Sequence, residues 1–179
     1  MRLNKLPLAI VLLLLILLPM LVSGEDSLVG KPAPEFKMQD QNGDWHTLEN
    51  YKGKWLALYF YPKNDTPGCT TEACNFRDNI YAYKAIGAAV VGVSLDDVAS
   101  HAKFASKYKL PFTLLSDADG SLSKAYHVLR DYKLIKIAAR QSFLINPQGV
   151  IVKHYEKVDP ETHSEEVLEA LKQLMAEAG

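Results

Sequence analysis

The chain has 179 residues, 48% of them apolar and 23% charged, with a formal net charge of −1, which suits one domain with a real core. That near-neutral balance excludes a nucleic-acid partner held through its phosphates, which needs a basic surface. Two cysteines are too few for a disulfide-stapled secreted scaffold, and their placement five positions apart, at Cys69 and Cys74, points to local chemistry.

The N-terminus is a separate object. Arg2 and Lys5 precede an apolar run over 6–22 that only Pro7 and Pro19 interrupt; Ser23, Gly24, Glu25 and Asp26 follow. A basic start, an apolar stretch and small residues at a cut make a secretory signal. Residues 1–24 are therefore expected to be a signal peptide or, uncleaved, a membrane tether through 6–22. Residues 25–179 form the domain, exported to the periplasm, secreted or membrane-anchored.

Pro32 and Pro34 keep 29–34 extended. A short strand over 36–40, the turn Gln41-Asn42-Gly43-Asp44 and residues 45–48 read as a hairpin. The apolar, aromatic run 55–61, ended by Pro62, reads as a buried central strand. A polar loop leads to a helix over 69–84, with Thr66 or Asp65 available as its cap and Ala73, Phe76, Ile80 and Tyr83 on one apolar face. Then follow a buried strand at 88–94, a helix at 98–108, a strand at 111–116 and a short helix at 121–126. Strands at 141–145 and 150–155 flank the turn Asn146-Pro147-Gln148-Gly149. A closing helix over 161–178 buries Val167, Leu168, Leu171 and Leu174. This alternation predicts an α/β fold, a mixed sheet with parallel crossovers and an antiparallel edge, flanked by helices.

The chemistry concentrates in Pro62-Lys63-Asn64-Asp65-Thr66-Pro67-Gly68-Cys69, with Cys74 beyond it. Cys69 stands at a predicted helix start, where free amides and the helix dipole favour an anion, and the thiolate is the nucleophile. Thr66 can set a hydroxyl beside the sulfur, and Pro62 and Pro67 stiffen the loop. A buried cysteine is often inert, but the Thr-Pro-Gly junction before Cys69 weighs toward reactivity. Residues five apart on an α-helix have Cα atoms roughly 8 to 9 Å apart, beyond the reach of a disulfide of about 7 Å. A Cys69–Cys74 bridge therefore needs the first helical turns to unwind, which suits a switching pair better than a static staple.

The run Pro62-x-x-x-Thr66-x-x-Cys69 resembles the peroxidatic motif of the peroxiredoxins, and Cys74 five residues on resembles the peroxiredoxin Q or bacterioferritin-comigratory-protein subfamily. Gly30-Lys31-Pro32-Ala33-Pro34-Glu35-Phe36, Leu115-Ser116-Asp117 and Arg140-Gln141-Ser142-Phe143-Leu144-Ile145 agree with it. The resemblance implies a thioredoxin-like fold and a thiol peroxidase acting on hydrogen peroxide and organic hydroperoxides. In it Cys69 is the peroxidatic cysteine, shielded by Pro62, and Cys74 the resolving one. Thr66, Gly68, Cys69 and Arg140 bind the peroxide, with the arginine stabilising the thiolate. It implies thioredoxin or a thioredoxin-like reductant as partner, a monomer, and no metal or organic cofactor.

One departure stands out: where relatives carry a Gly-rich stretch before the late arginine, this chain has residues 132–139, Tyr-Lys-Leu-Ile-Lys-Ile-Ala-Ala. Glu72 and Arg77 read as structural or solvated, and His46, His101, His127, His154 and His163 as scattered surface or loop residues. Two other functions stay open. An exported thiol–disulfide oxidoreductase would normally carry Cys-x-x-Cys. A copper-handling thioredoxin-fold protein would want a closer cysteine pair and a placed histidine.

Overall fold

The run 55–61 becomes the centre of the sheet. In strand β3 (Trp55–Phe60) alternate side chains point to opposite faces. Leu56, Leu58 and Phe60 join one buried cluster, while Ala57, Tyr59 and Tyr61 join another. Such a strand reads as continuous apolar sequence because both of its faces are covered.

A computed structural model of the chain describes residues 27–178. The expected signal or anchor at 1–24 lies outside the described residues. The hairpin β1 (Lys37–Gln39) and β2 (Trp45–Thr47) leads through a 3₁₀ turn (Leu48–Tyr51) into β3. Next come α1 (Pro67–Asp78), α2 (Ile80–Ala85), β4 (Ala88–Ser94), α3 (Val98–Tyr108), β5 (Thr113–Ser116) and α4 (Ser121–Ala125). The chain continues with β6 (Leu129–Asp131), β7 (Lys136–Ala138), β8 (Gln141–Ile145), β9 (Ile151–Tyr155) and α5 (His163–Ala178).

The main sheet has the order β5-β4-β3-β8-β9. β3, β4 and β5 run parallel, and β8 is antiparallel to β3 and to β9. Phe76, Tyr83, Phe104, Val167 and Leu171 bring α1, α2, α3 and α5 onto one face. Met38, Leu48, Leu122, Val128 and Ala138 cover the other. This is the expected thioredoxin-like α/β fold. Gly92 in β4 is required by its packing: a Cβ there would stand 2.8 Å from Leu114 Cδ2 and from the Tyr59 ring.

One local expectation is corrected. The helix expected over 69–84 is two helices, and it starts at Pro67. Asn79 breaks it at φ −91°, ψ 0°, where its side-chain amide donates to Ser164 Oγ of α5 at 3.2 Å. The apolar period ran through the break because Phe76, Ile80 and Tyr83 pack into the same cluster. Residues 129–138, to which the sequence assigned no element, form a small antiparallel hairpin, β6–β7. Its exposed charged strand has no buried stripe, so periodicity carried no signal for it.

Candidate active site

The site is built where β3 ends. Tyr61 continues the strand by donating its amide to the Val93 carbonyl at 3.0 Å, and half-buried Pro62 then turns the chain away. Asn64 pins the loop. Its backbone amide donates to Asp96 Oδ2 at 2.9 Å and its side-chain amide to Ser100 Oγ at 2.9 Å. Its carbonyl oxygen accepts the Tyr61 hydroxyl at 2.8 Å. The Asn64 amide also lies 3.2 Å from His101 Nδ1. Because an amide nitrogen only donates, Nδ1 acts as the acceptor in this contact. Burial holds the His101 pKa below its ordinary value.

The loop delivers Thr66 to the start of α1, with Pro67 as the first helical residue. Thr66 has the backbone of a cap, but its side chain caps no amide. Its hydroxyl donates to the Lys63 carbonyl at 3.1 Å instead. Asp65 sits at φ 59° and pairs with Lys107 at 2.8 Å, both exposed. Cys69 occupies the first turn of α1 and is 1% exposed. Cys74 is partly buried on the same helix, and both cysteines are free thiols.

Strand register brings the arginine in. Gln141 of β8 pairs with Phe60, the last residue of β3, so Arg140 lies just past the strand end, facing the start of α1. Its Nη2 donates to Cys69 Sγ at 3.3 Å, and its Nη1 donates to Glu72 Oε2. Residues three apart on a helix share a face, so one planar guanidinium spans Cys69 and Glu72. A Cβ on Gly68 would sit 3.1 Å from Arg140 Nη2, so the missing side chain makes room for the approach.

Glu72 was not expected in the site; it was read as structural or solvated. Its side chain is fully buried in an ion pair with Arg140. Burial pushes its pKa up to about 7, against the pull of Arg140, and Oε1 has no hydrogen-bond partner among the described residues. Arg77 is only half-buried, donating to the Tyr108 carbonyl at 2.9 Å and reaching Cys74 Sγ at 3.4 Å. The reading of the histidines is corrected too: His101 and His163 are completely buried. His163 Nε2 lies 2.8 Å from Ser142 Oγ, and its ring packs edge-on against Phe76 and Tyr155. Among the described residues no group of three or more His, Cys, Asp or Glu could hold a metal ion.

A cysteine at a helix start, contacted by a partly buried guanidinium, can bear negative charge and present it to an electrophile. The AhpC/TSA family model matches residues 29–154. The chain belongs to the AhpC/TSA family. Among its relatives is peroxiredoxin Bcp of Bacillus subtilis (strain 168), 39% identical over 153 residues, covering 82% of this chain and 96% of the relative. A chloroplastic peroxiredoxin Q of Triticum aestivum is 43% identical over 146 residues, 81% of this chain and 67% of the relative. The crystal structure of peroxidoxin BcpB from Mycobacterium tuberculosis superposes with a TM-score of 0.76 at 30% identity, over 81% of this chain and 96% of that one. Xanthomonas campestris bacterioferritin comigratory protein, studied for its alkyl peroxide reduction activity, gives a TM-score of 0.73 at 36% identity, over 77% and 90% of the two chains. A member of this family with these relatives is a thiol-dependent peroxidase, an oxidoreductase.

Proposed function

We propose that this peroxidase works through Cys69 and resolves its product within one chain through Cys74. The observation that carries the reading is the guanidinium of Arg140 donating to Cys69 Sγ at 3.3 Å in the first turn of α1. The Cys69 thiolate attacks the terminal oxygen of a hydroperoxide. An S–O bond forms and the O–O bond breaks. The departing hydroxide or alkoxide takes a proton from solvent and leaves as water or alcohol. Thr66 spends its proton on the Lys63 carbonyl, so its oxygen lone pairs are left to accept the peroxide O–H. Arg140 stabilises charge on the sulfur and on the breaking bond.

The Cys69 sulfenic acid then condenses with the Cys74 thiol, forming a disulfide and releasing water. Both residues lie on α1 (Pro67–Asp78), so its first turns open for the sulfurs to meet. The N-cap residue Thr66 makes no side-chain cap for α1, which lowers the cost of opening by about 1 kcal/mol relative to a capped helix. An external dithiol, thioredoxin or a thioredoxin-like protein, reduces the disulfide. Because attacking and resolving thiols share a helix, a monomer suffices. Alkyl hydroperoxides are substrates alongside hydrogen peroxide.

The leader supports export, with residues 1–24 as a cleaved signal or as a tether to the membrane. An exported chain meets no cytosolic thioredoxin, so its reductant is periplasmic or membrane-bound.

The test is one equivalent of peroxide added to the reduced chain, followed by thiol counting and intact mass. Both thiols and the mass of two hydrogen atoms should disappear, and Cys74→Ser should accumulate sulfenic acid on Cys69. Two thiols still free after peroxide would move disulfide exchange between proteins ahead of this reading.

A further inference from the structure

The peroxide chemistry makes no use of the β6–β7 hairpin. Its strands pair over only three registers, Leu129 with Ala138, Arg130 with Ile137 and Asp131 with Lys136. Between them the turn presents Tyr132, Leu134 and Ile135 at 64%, 95% and 63% exposure. Exposed apolar residues scattered singly are ordinary, whereas three on one turn mark a contact surface.

The tip is held in shape. The Tyr132 amide donates to the Ile135 carbonyl at 2.9 Å and the Leu134 amide to the Tyr132 carbonyl at 2.8 Å. Asp131 Oδ1 accepts the Lys133 amide at 2.9 Å. Lys133 takes φ 69°, a left-handed conformation that costs a residue with a Cβ. The hairpin itself carries Arg130, Lys133 and Lys136 against one acid, Asp131, which pairs with Lys136 at 3.4 Å, and Asp119 lines the same surface cavity as that pair. Aromatic and aliphatic side chains ringed by cations suit the surface of an anionic bilayer.

The described residues begin at a cavity that the first strand of this hairpin helps to line. Ser27 and Leu28, where the described residues begin, line a cavity of about 340 Å³ with Tyr126, His127 and Arg130. The first described residues therefore share one cavity with Arg130 of β6. We propose that the tip of the β6–β7 hairpin inserts into the face of an anionic membrane, seating the domain on the bilayer beside its own leader. This rests on the tether reading of residues 6–22.

The experiment uses the full chain, mixed with vesicles of phosphatidylglycerol and phosphatidylcholine. Trp45→Phe is present throughout, and Leu134→Trp is compared with Leu134. Flotation reads the tether, and quenching of the introduced indole by brominated acyl chains reads the tip. The proposal expects flotation, a blue shift of about 10 nm and loss of about half the added emission to bromine, with less quenching in purely zwitterionic vesicles. Flotation with an unquenched indole at the aqueous wavelength overturns the hairpin proposal and leaves the tether standing. A blue shift without bromine quenching means that protein covers the tip, and overturns it as well. Failure to float overturns both. Equal quenching in anionic and zwitterionic vesicles overturns the role given to the basic ring.

Discussion

Arg140 holds Cys69 and Glu72 with different nitrogens of one guanidinium, Nη2 on the sulfur at 3.3 Å and Nη1 on the carboxylate. The buried carboxylate aims the cation, and the aimed cation faces the thiol. Arg140→Lys keeps the charge but loses the fork. Its kcat/KM should fall about 100-fold, roughly 2.7 kcal/mol of transition-state stabilisation. The rate at which Cys69 alkylates should fall with it. Unchanged alkylation in the variant would show that the arginine does not act on the thiol.

Gly68→Ala probes the same contact from the other side. The added Cβ stands 3.1 Å from Arg140 Nη2 and 3.5 Å from Pro160 Cγ. Displacing the guanidinium by part of an ångström should lower kcat/KM about tenfold. Alanine is the better helix former by up to about 1 kcal/mol, so the urea midpoint should hold or rise. Full activity in this variant would mean that the pocket yields without moving Arg140.

Two buried groups should shape stability against pH with opposite signs. Glu72 is raised from 4.5 to about 7, so the folded state holds its proton more tightly. The stability this contributes is present below pH 4.5 and lost as pH rises to about 7, roughly 3 kcal/mol at most. His163 is lowered from 6.5 to about 4, chiefly by burial. Its contribution is present above pH 6.5 and lost as pH falls toward 4, again roughly 3 kcal/mol at most. Urea unfolding in steps of pH should show that Glu72→Gln removes the decline toward neutrality, while His163→Gln shallows the acid limb. If Glu72→Gln ran parallel to the parent from pH 4.5 to 7.5, Glu72 would be ionised throughout.

Asn64 should matter more to the fold than a loop asparagine usually does. Asn64→Ala removes the amide that joins the Tyr61 hydroxyl, His101 Nδ1 and Ser100 Oγ, and leaves the hydroxyl to donate to His101 Nδ1 at 3.2 Å. Losing the remaining bonds should cost roughly 1–2 kcal/mol, read as a lower denaturation midpoint. A loss under half a kcal/mol would mean that water replaces the amide.

Much of this was readable along the chain. β3 and β4 announced themselves as unbroken apolar runs because both sheet faces are buried, and Cys69 by its place after Thr-Pro-Gly at a strand-to-helix junction. Arg140 was legible only through the family resemblance, since an arginine before a strand has no local signature. Glu72, His101 and His163 were misread because each is polar by sequence and buried by what packs on it. A signal for Glu72 did exist, its position three residues after Cys69, but that spacing gains meaning only once a cation is known to face the helix.

The amino-acid sequence by itself determined the alternation of strands and helices, the strand-to-helix junction at Cys69 and the two-cysteine spacing that forbids a bridge on an intact helix. Those are local matters of period, turn chemistry and helical rise. Tertiary structure alone decided the electrostatics of the site. Pairing Gln141 with Phe60 carries Arg140 across 71 positions to Cys69 and seals Glu72 beneath it, and no periodicity encodes a contact that exists only after the sheet has closed.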